Sequence, residues 1–171
     1  MKLTSAQANK LLKKKNDEYT AILAREERSS IFSAAQGEDV ESVRPEYDYA
    51  ETQKTLEKLA SEIRTLKHAI NVFNTTHTVG DFGMTIDEML VYIPQLTRRK
   101  EKLYVMKARL PKERVEEHSM ASRMRNIIDY SYTNYDLKAV EADFETVSDT
   151  LSRAQIALDV TNNSETLEVE F

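Results

Sequence analysis

The chain contains no cysteine and no tryptophan, and only three glycines and three prolines in 171 residues. The missing cysteines exclude disulfides, thiol nucleophiles and thiolate metal sites. Three glycines are too few to build a glycine-rich phosphate loop with ease, and neither that loop nor a Gly-x-Ser-x-Gly elbow occurs. No apolar run approaches the roughly 20 residues that a membrane-spanning helix needs. Met1 and Lys2 open a segment without the apolar core of a signal peptide. These absences lead us to expect no membrane span and a cytoplasmic, reducing location.

What remains is 40% hydrophobic and 31% charged. Few helix breakers and many charges favour long helices with wet faces over a compact α/β enzyme. The net charge of −5 is unevenly spread. Residues 98–125 hold ten Lys or Arg and four Glu, whereas residues 126–171 hold ten Asp or Glu against Lys138 and Arg153. A second acidic stretch, residues 29–51, carries six acids against Arg44. Such segments either face one another within the fold or an oligomer, or leave the basic one to meet a polyanion.

The apolar spacing predicts four helices. Thr4 with Gln7 has capping-box spacing and opens the first, over about 4–35. Ala8, Leu12, Tyr19 and Ile22 make its stripe, with Lys15 falling on it. A lysine there either snorkels to water or restricts register. Gln36 to Pro45 reads as a loop. The second helix, about 46–73, repeats Tyr49, Leu56, Ile63 and Ile70 against Thr52, Leu59, Leu66 and Phe73, which is the 3-4 spacing of a coiled-coil seam. A third, about 86–110, opens with Thr85 and Glu88, carries the stripe Met89, Ile93, Leu96, Leu103, Met106 and Leu110, and holds Pro94, expected to kink it or to divide it. The fourth, about 136–160, starts at Asp136 and carries a second seam through Leu137, Val140, Phe144, Val147, Leu151, Ala154 and Leu158. The polar Asn162-Asn163-Ser164 is expected to end it.

Three segments read as extended: 74–79, 127–135 and 165–171. The second, rich in tyrosine, is expected to pair with the first. The fold class expected is therefore mainly α, a single domain (1–171) of long antiparallel coiled-coil helices, as hairpins or a bundle, with a few short β segments.

Chemistry is hard to find. His68, His77 and His118 are too scattered for a local metal motif. The Glu-x-x-His pairs of di-iron bundles are absent, since Glu116 is two residues before His118 and position 65, three before His68, is a threonine. Adjacent acids such as Glu26-Glu27 diverge on a helix. We expect no catalytic residues, no metal and no cofactor. The self-association surface expected is the seam itself: Leu56, Leu59, Ile63, Leu66, Ile70 and Phe73 with Phe144, Val147, Leu151 and Leu158. Candidate nucleic-acid contacts are Arg98, Arg99, Lys100, Lys102 and Lys107, although the acidic neighbour argues against such a partner. Tyr130, Tyr132 and Tyr135 either anchor an interface or pack a small strand on helix ends.

The opening MKL, the loop AAQGEDV at 34–40, NVFNTTHTVGDFGMTIDEML at 71–90 and YTNYDLKAVEADFETVSDTLSRAQIALDVTNNSETLEV at 132–169 resemble a family of small bacterial helical proteins, some of them labelled septicolysin. The resemblance covers nearly the whole chain. It implies a helical-hairpin fold and self-association, and carries over no catalytic residue. The label adds cytolysin-like membrane activity as an alternative. Our leading expectation is a non-enzymatic structural or interaction protein, a coiled-coil homo-oligomer with a protein partner conceivable. RNA binding through the basic third helix is the main rival.

Overall fold

In a computed structural model, residues 1–115 and 129–171 are described. The protein is mainly α. In chain order the elements are β1 (Lys2–Thr4), α1 (Ser5–Ser29), α2 (Val40–Val43), α3 (Tyr49–Thr76), β2 (Thr78–Val79), a 3-10 turn (Gly80–Phe82), β3 (Met84–Thr85), α4 (Ile86–Lys107), β4 (Lys112–Arg114), β5 (Tyr130–Tyr132), α5 (Leu137–Ser164) and β6 (Thr166–Glu168). They fall into two compact units: residues 1–86 with 159–171, and residues 87–158. Each has its own pair of long helices that cover apolar stripes, so each has the means to build its own core.

The first unit is a hairpin of α1 and α3. The capping box forms as the sequence predicts: the Gln7 N–H donates to Thr4 Oγ1 and the Thr4 N–H to Gln7 Oε1. Two N–H groups at the helix start thereby gain acceptors. α1 ends at Ser29, short of 35. After the loop, Arg44 is extended (ψ 121°), as the following Pro45 requires. α3 begins at Tyr49, later than 46, because Asp48 supplies the cap by accepting from the Glu51 N–H. The α3 seam is covered: Leu56, Leu59, Leu66, Ile70 and Phe73 are buried and Ile63 is half-buried. Tyr49, the first residue of the expected seam, is exposed.

α3 runs three residues past its expected end. Its terminal threonines turn inward on the helix's own carbonyls, Thr75 Oγ1 donating to Asn71 O and Thr76 Oγ1 to Val72 O. A β-branched polar run that reads as extended is thus held as helix by local hydrogen bonds. β2 and β3 make a two-stranded ribbon, Thr78 opposite Thr85 and Val79 opposite Met84. Gly83 closes the turn between them at φ 61°, where a side chain would be strained. The C-terminal segment pairs β6 antiparallel with β1, Leu167 opposite Leu3. The amino group of Met1 donates to Val169 O and the Val169 N–H returns to Met1 O. The tail alternates as predicted through Leu167 and Val169, both buried, but Phe171 is exposed.

In the second unit α4 passes through Pro94 without a break and ends at Lys107, short of 110. Within the helix its stripe is covered, Met89, Leu96 and Leu103 buried and Ile93 and Met106 half-buried, but Leu110, beyond the helix end, is exposed. α5 starts where Asp136 caps it, accepting from the Lys138 N–H. Val140, Val147, Leu151 and Ala154 on its seam are buried. The helix continues through Asn162-Asn163-Ser164 to Ser164, four residues beyond expectation. Again polar side chains are satisfied in place, Asn163 Nδ2 donating to Asp159 O and Ser164 Oγ to Val160 O. β5 pairs with β4, not with the 74–79 segment. Residues 127 and 128 of that expected strand lie outside the described residues.

Candidate functional site

In the first unit, α1 and α3 are locked in register by two polar contacts. Lys15 Nζ donates to Glu62 Oε2 at 2.5 Å, with the two side chains only 17% and 18% exposed. The same ammonium lies 5.2 Å from the Phe171 ring centroid. Lys15 therefore neither snorkels freely nor stays unpaired: the fold gives it a carboxylate and an aromatic face. Its position on the stripe was legible in the sequence, but the partner 47 residues away was not.

Further along the hairpin, Glu26 Oε1 accepts from Tyr47 Oη and from Gln53 Nε2, both at 2.7 Å. The hydrogen bond to Glu26 holds the Tyr47 phenol protonated, its pKa pushed up to about 12, with burial and the charges of Glu26 and Asp48 acting the same way. Glu26, Tyr47 and Asp48 border an open groove of about 510 Å3 that also meets Arg25, Glu46 and Glu51. His77 stacks on Phe73 with ring centroids 3.9 Å apart, while His68 is exposed. His118 lies outside the described residues. Among the described residues no group of three or more His, Asp or Glu is placed to hold a metal ion.

In the second unit two of the five basic candidates meet acids of α5. Arg99 reaches Asp143 at 3.5 Å and Lys107 reaches Glu141 at 3.2 Å. Lys107 also lies 4.9 Å, and Lys100 5.9 Å, from the Phe144 ring centroid. Tyr104 and Phe144 approach with ring centroids 6.2 Å apart, and Tyr135 Oη donates to Met106 O. Arg98 and Lys102 are exposed. The contacts link the C-terminal half of α4 with the N-terminal half of α5, as an antiparallel pair requires.

The seam residues named for self-association are covered by the chain itself. Leu56, Leu59, Leu66, Ile70, Phe73, Val147 and Leu151 are buried, and Ile63, Phe144 and Leu158 are half-buried. Sequence periodicity finds an apolar stripe but cannot say whose helix covers it. It also misses a second set on α4: Leu90, Val91, Tyr104 and Val105 are each half or more exposed. The signal was available, since Leu90 and Tyr104, like Val91 and Val105, are fourteen residues apart, two heptads. Beside the second pair is a groove of about 410 Å3 lined by Tyr104, Val105, Ala108, Arg109, Leu110 and Glu113.

Among the described residues no helix is long and apolar enough to cross a membrane. No protein-family model and no curated protein matches the chain. A solved structure, of a functionally unknown conserved protein from Corynebacterium diphtheriae, is similar: TM-score 0.61 and 15% sequence identity, over 98% of this chain and 100% of that one. At that identity the likeness is one of fold. Nothing in these comparisons supports the septicolysin family suggested by the sequence pattern.

Proposed function

We propose that the protein is a non-enzymatic interaction protein that associates with a second copy of itself through the outer face of α4. The observation that carries this reading is the exposed pair Leu90 and Val91, repeated two heptads later as Tyr104 and Val105. Single exposed apolar residues are ordinary, but a repeated set on one helix is the pattern of a partner surface. The two pairs stand about 21 Å apart along the helix. An antiparallel, twofold pairing of two α4 helices sets Leu90 and Val91 of each copy against Tyr104 and Val105 of the other, and offers the groove at Arg109 and Leu110 as a socket. The covered seams of α3 and α5 are left to hold each hairpin together.

Size-exclusion chromatography with light scattering tests the proposal. A dimer at micromolar concentration is expected, with Leu90→Glu/Val105→Glu eluting as a monomer of unchanged helicity. A wild-type monomer contradicts it. The pairing of Arg99 and Lys107 with α5 acids argues that the α4 cations serve the hairpin, which weighs against RNA binding through this helix. Dye-loaded liposomes left intact by the protein would dispose of cytolysin-like activity.

A further inference from the structure

The ribbon of β4 and β5 gathers residues that the sequence keeps apart. Lys112 is opposite Tyr132 and Arg114 opposite Tyr130. Side chains alternate along a strand and opposed residues share a face, so all four lie on one face. Lys112 Nζ confirms the placement, 4.0 Å from the Tyr130 ring centroid and 5.5 Å from that of Tyr132. Glu113 and Ser131 take the opposite face. All six residues of the ribbon are exposed, Tyr132 at 65%.

We propose that this face binds single-stranded nucleic acid, two nucleotides at a time. Charge complementarity selects the occupant. Among the described residues neither Lys112 nor Arg114 has a carboxylate partner, unlike Arg99 and Lys107 on α4. The two cations on one face therefore call for an anion. The two tyrosine rings select among anions, because successive same-face residues on a strand stand roughly 7 Å apart and present two adjacent platforms for unstacked bases. An acidic peptide would answer the cations but leave the rings without flat partners. Lys112 covers part of the rings in the free protein. On binding, its ammonium exchanges ring for phosphate, leaving the rings to the bases. The arrangement goes beyond self-association through α4 and does not rest on it.

The test is fluorescence anisotropy of labelled oligo(dT) and oligo(rU) with the full chain at varied salt. Binding is expected at low salt, with log K falling against log salt at about −0.7 per phosphate, so about −1.4 for the pair. Tyr132→Ala and Tyr130→Ala are each expected to weaken binding about 5- to 140-fold, whereas Tyr132→Phe retains it. Lys112→Glu/Arg114→Glu abolishes it, and Arg98→Glu/Lys102→Glu leaves it unchanged. The Leu90→Glu/Val105→Glu variant should bind like the wild type, which separates this proposal from the fate of the dimer. No binding at low salt overturns the idea. So does equal affinity for polyphosphate or polyglutamate, which carry charge without bases, or indifference to both tyrosine-to-alanine changes in variants with unchanged thermal melts.

Discussion

The two helical hairpins of this protein use ion pairs in opposite ways. In the α1–α3 hairpin one pair, Lys15 with Glu62, is largely covered, and an aromatic ring lies over the cation. In the α4–α5 pair, Arg99 with Asp143 is 59% and 60% exposed. A covered pair is costly to break, since the surviving charge is stranded away from water. An exposed pair is screened by salt and contributes little. The apolar seams are alike, so the comparison teaches that Lys15 and Glu62 set register in one hairpin, while the charges of the other chiefly keep a basic helix beside an acidic one.

Both hairpins rest first on their apolar seams. Leu66 is fully buried, and Leu66→Ala should lower stability by about 2–5 kcal/mol, measured by denaturant unfolding. If the loss is under a kilocalorie per mole, the seam is not the main source of cohesion in this hairpin. The charged pairs differ in how far water reaches them. Glu62→Ala should cost roughly 1–3 kcal/mol and change little with added salt. Asp143→Ala should cost about 0.2–1 kcal/mol, fading as salt rises. Equal costs, or equal salt responses, would erase the distinction drawn between the hairpins.

The smallest effect concerns Tyr47. Its folded pKa of about 12 stands above the ordinary 10.0. The folded state therefore favours the protonated phenol. Its contribution is full below pH 10 and is lost as pH rises through about 12. Thermal melts across that window should show a decline that Tyr47→Phe reduces, and a spectrophotometric titration should find one phenol ionising late. A normal titration of every tyrosine would remove Glu26 as the phenol's partner.

Much of the fold was legible in the amino-acid order. The seams of α3 and α5, the stripe of α4 and the cap at Thr4 and Gln7 all rest on contacts between residues three or four apart, which a linear reading can see. Helix ends were less legible. Thr75, Thr76, Asn163 and Ser164 belong to types that favour turns, and only their hydrogen bonds to carbonyls in the preceding turn reveal that they stay helical. Strand partners were illegible. Tyr130 and Tyr132 have no local feature that chooses Lys112–Arg114 over the threonine-rich segment, because pairing depends on where the helices deliver each end.

The sequence by itself determined that long amphipathic helices form and which edge of each is apolar, since that follows from a periodicity fixed by the helical repeat. What covers those edges, which carboxylate answers Lys15, and that one lysine and one arginine share a surface with two tyrosines were settled by the packing of the whole chain. Those outcomes depend on distances between residues far apart in the chain, which are set by the packing of whole elements and by no short run of side chains.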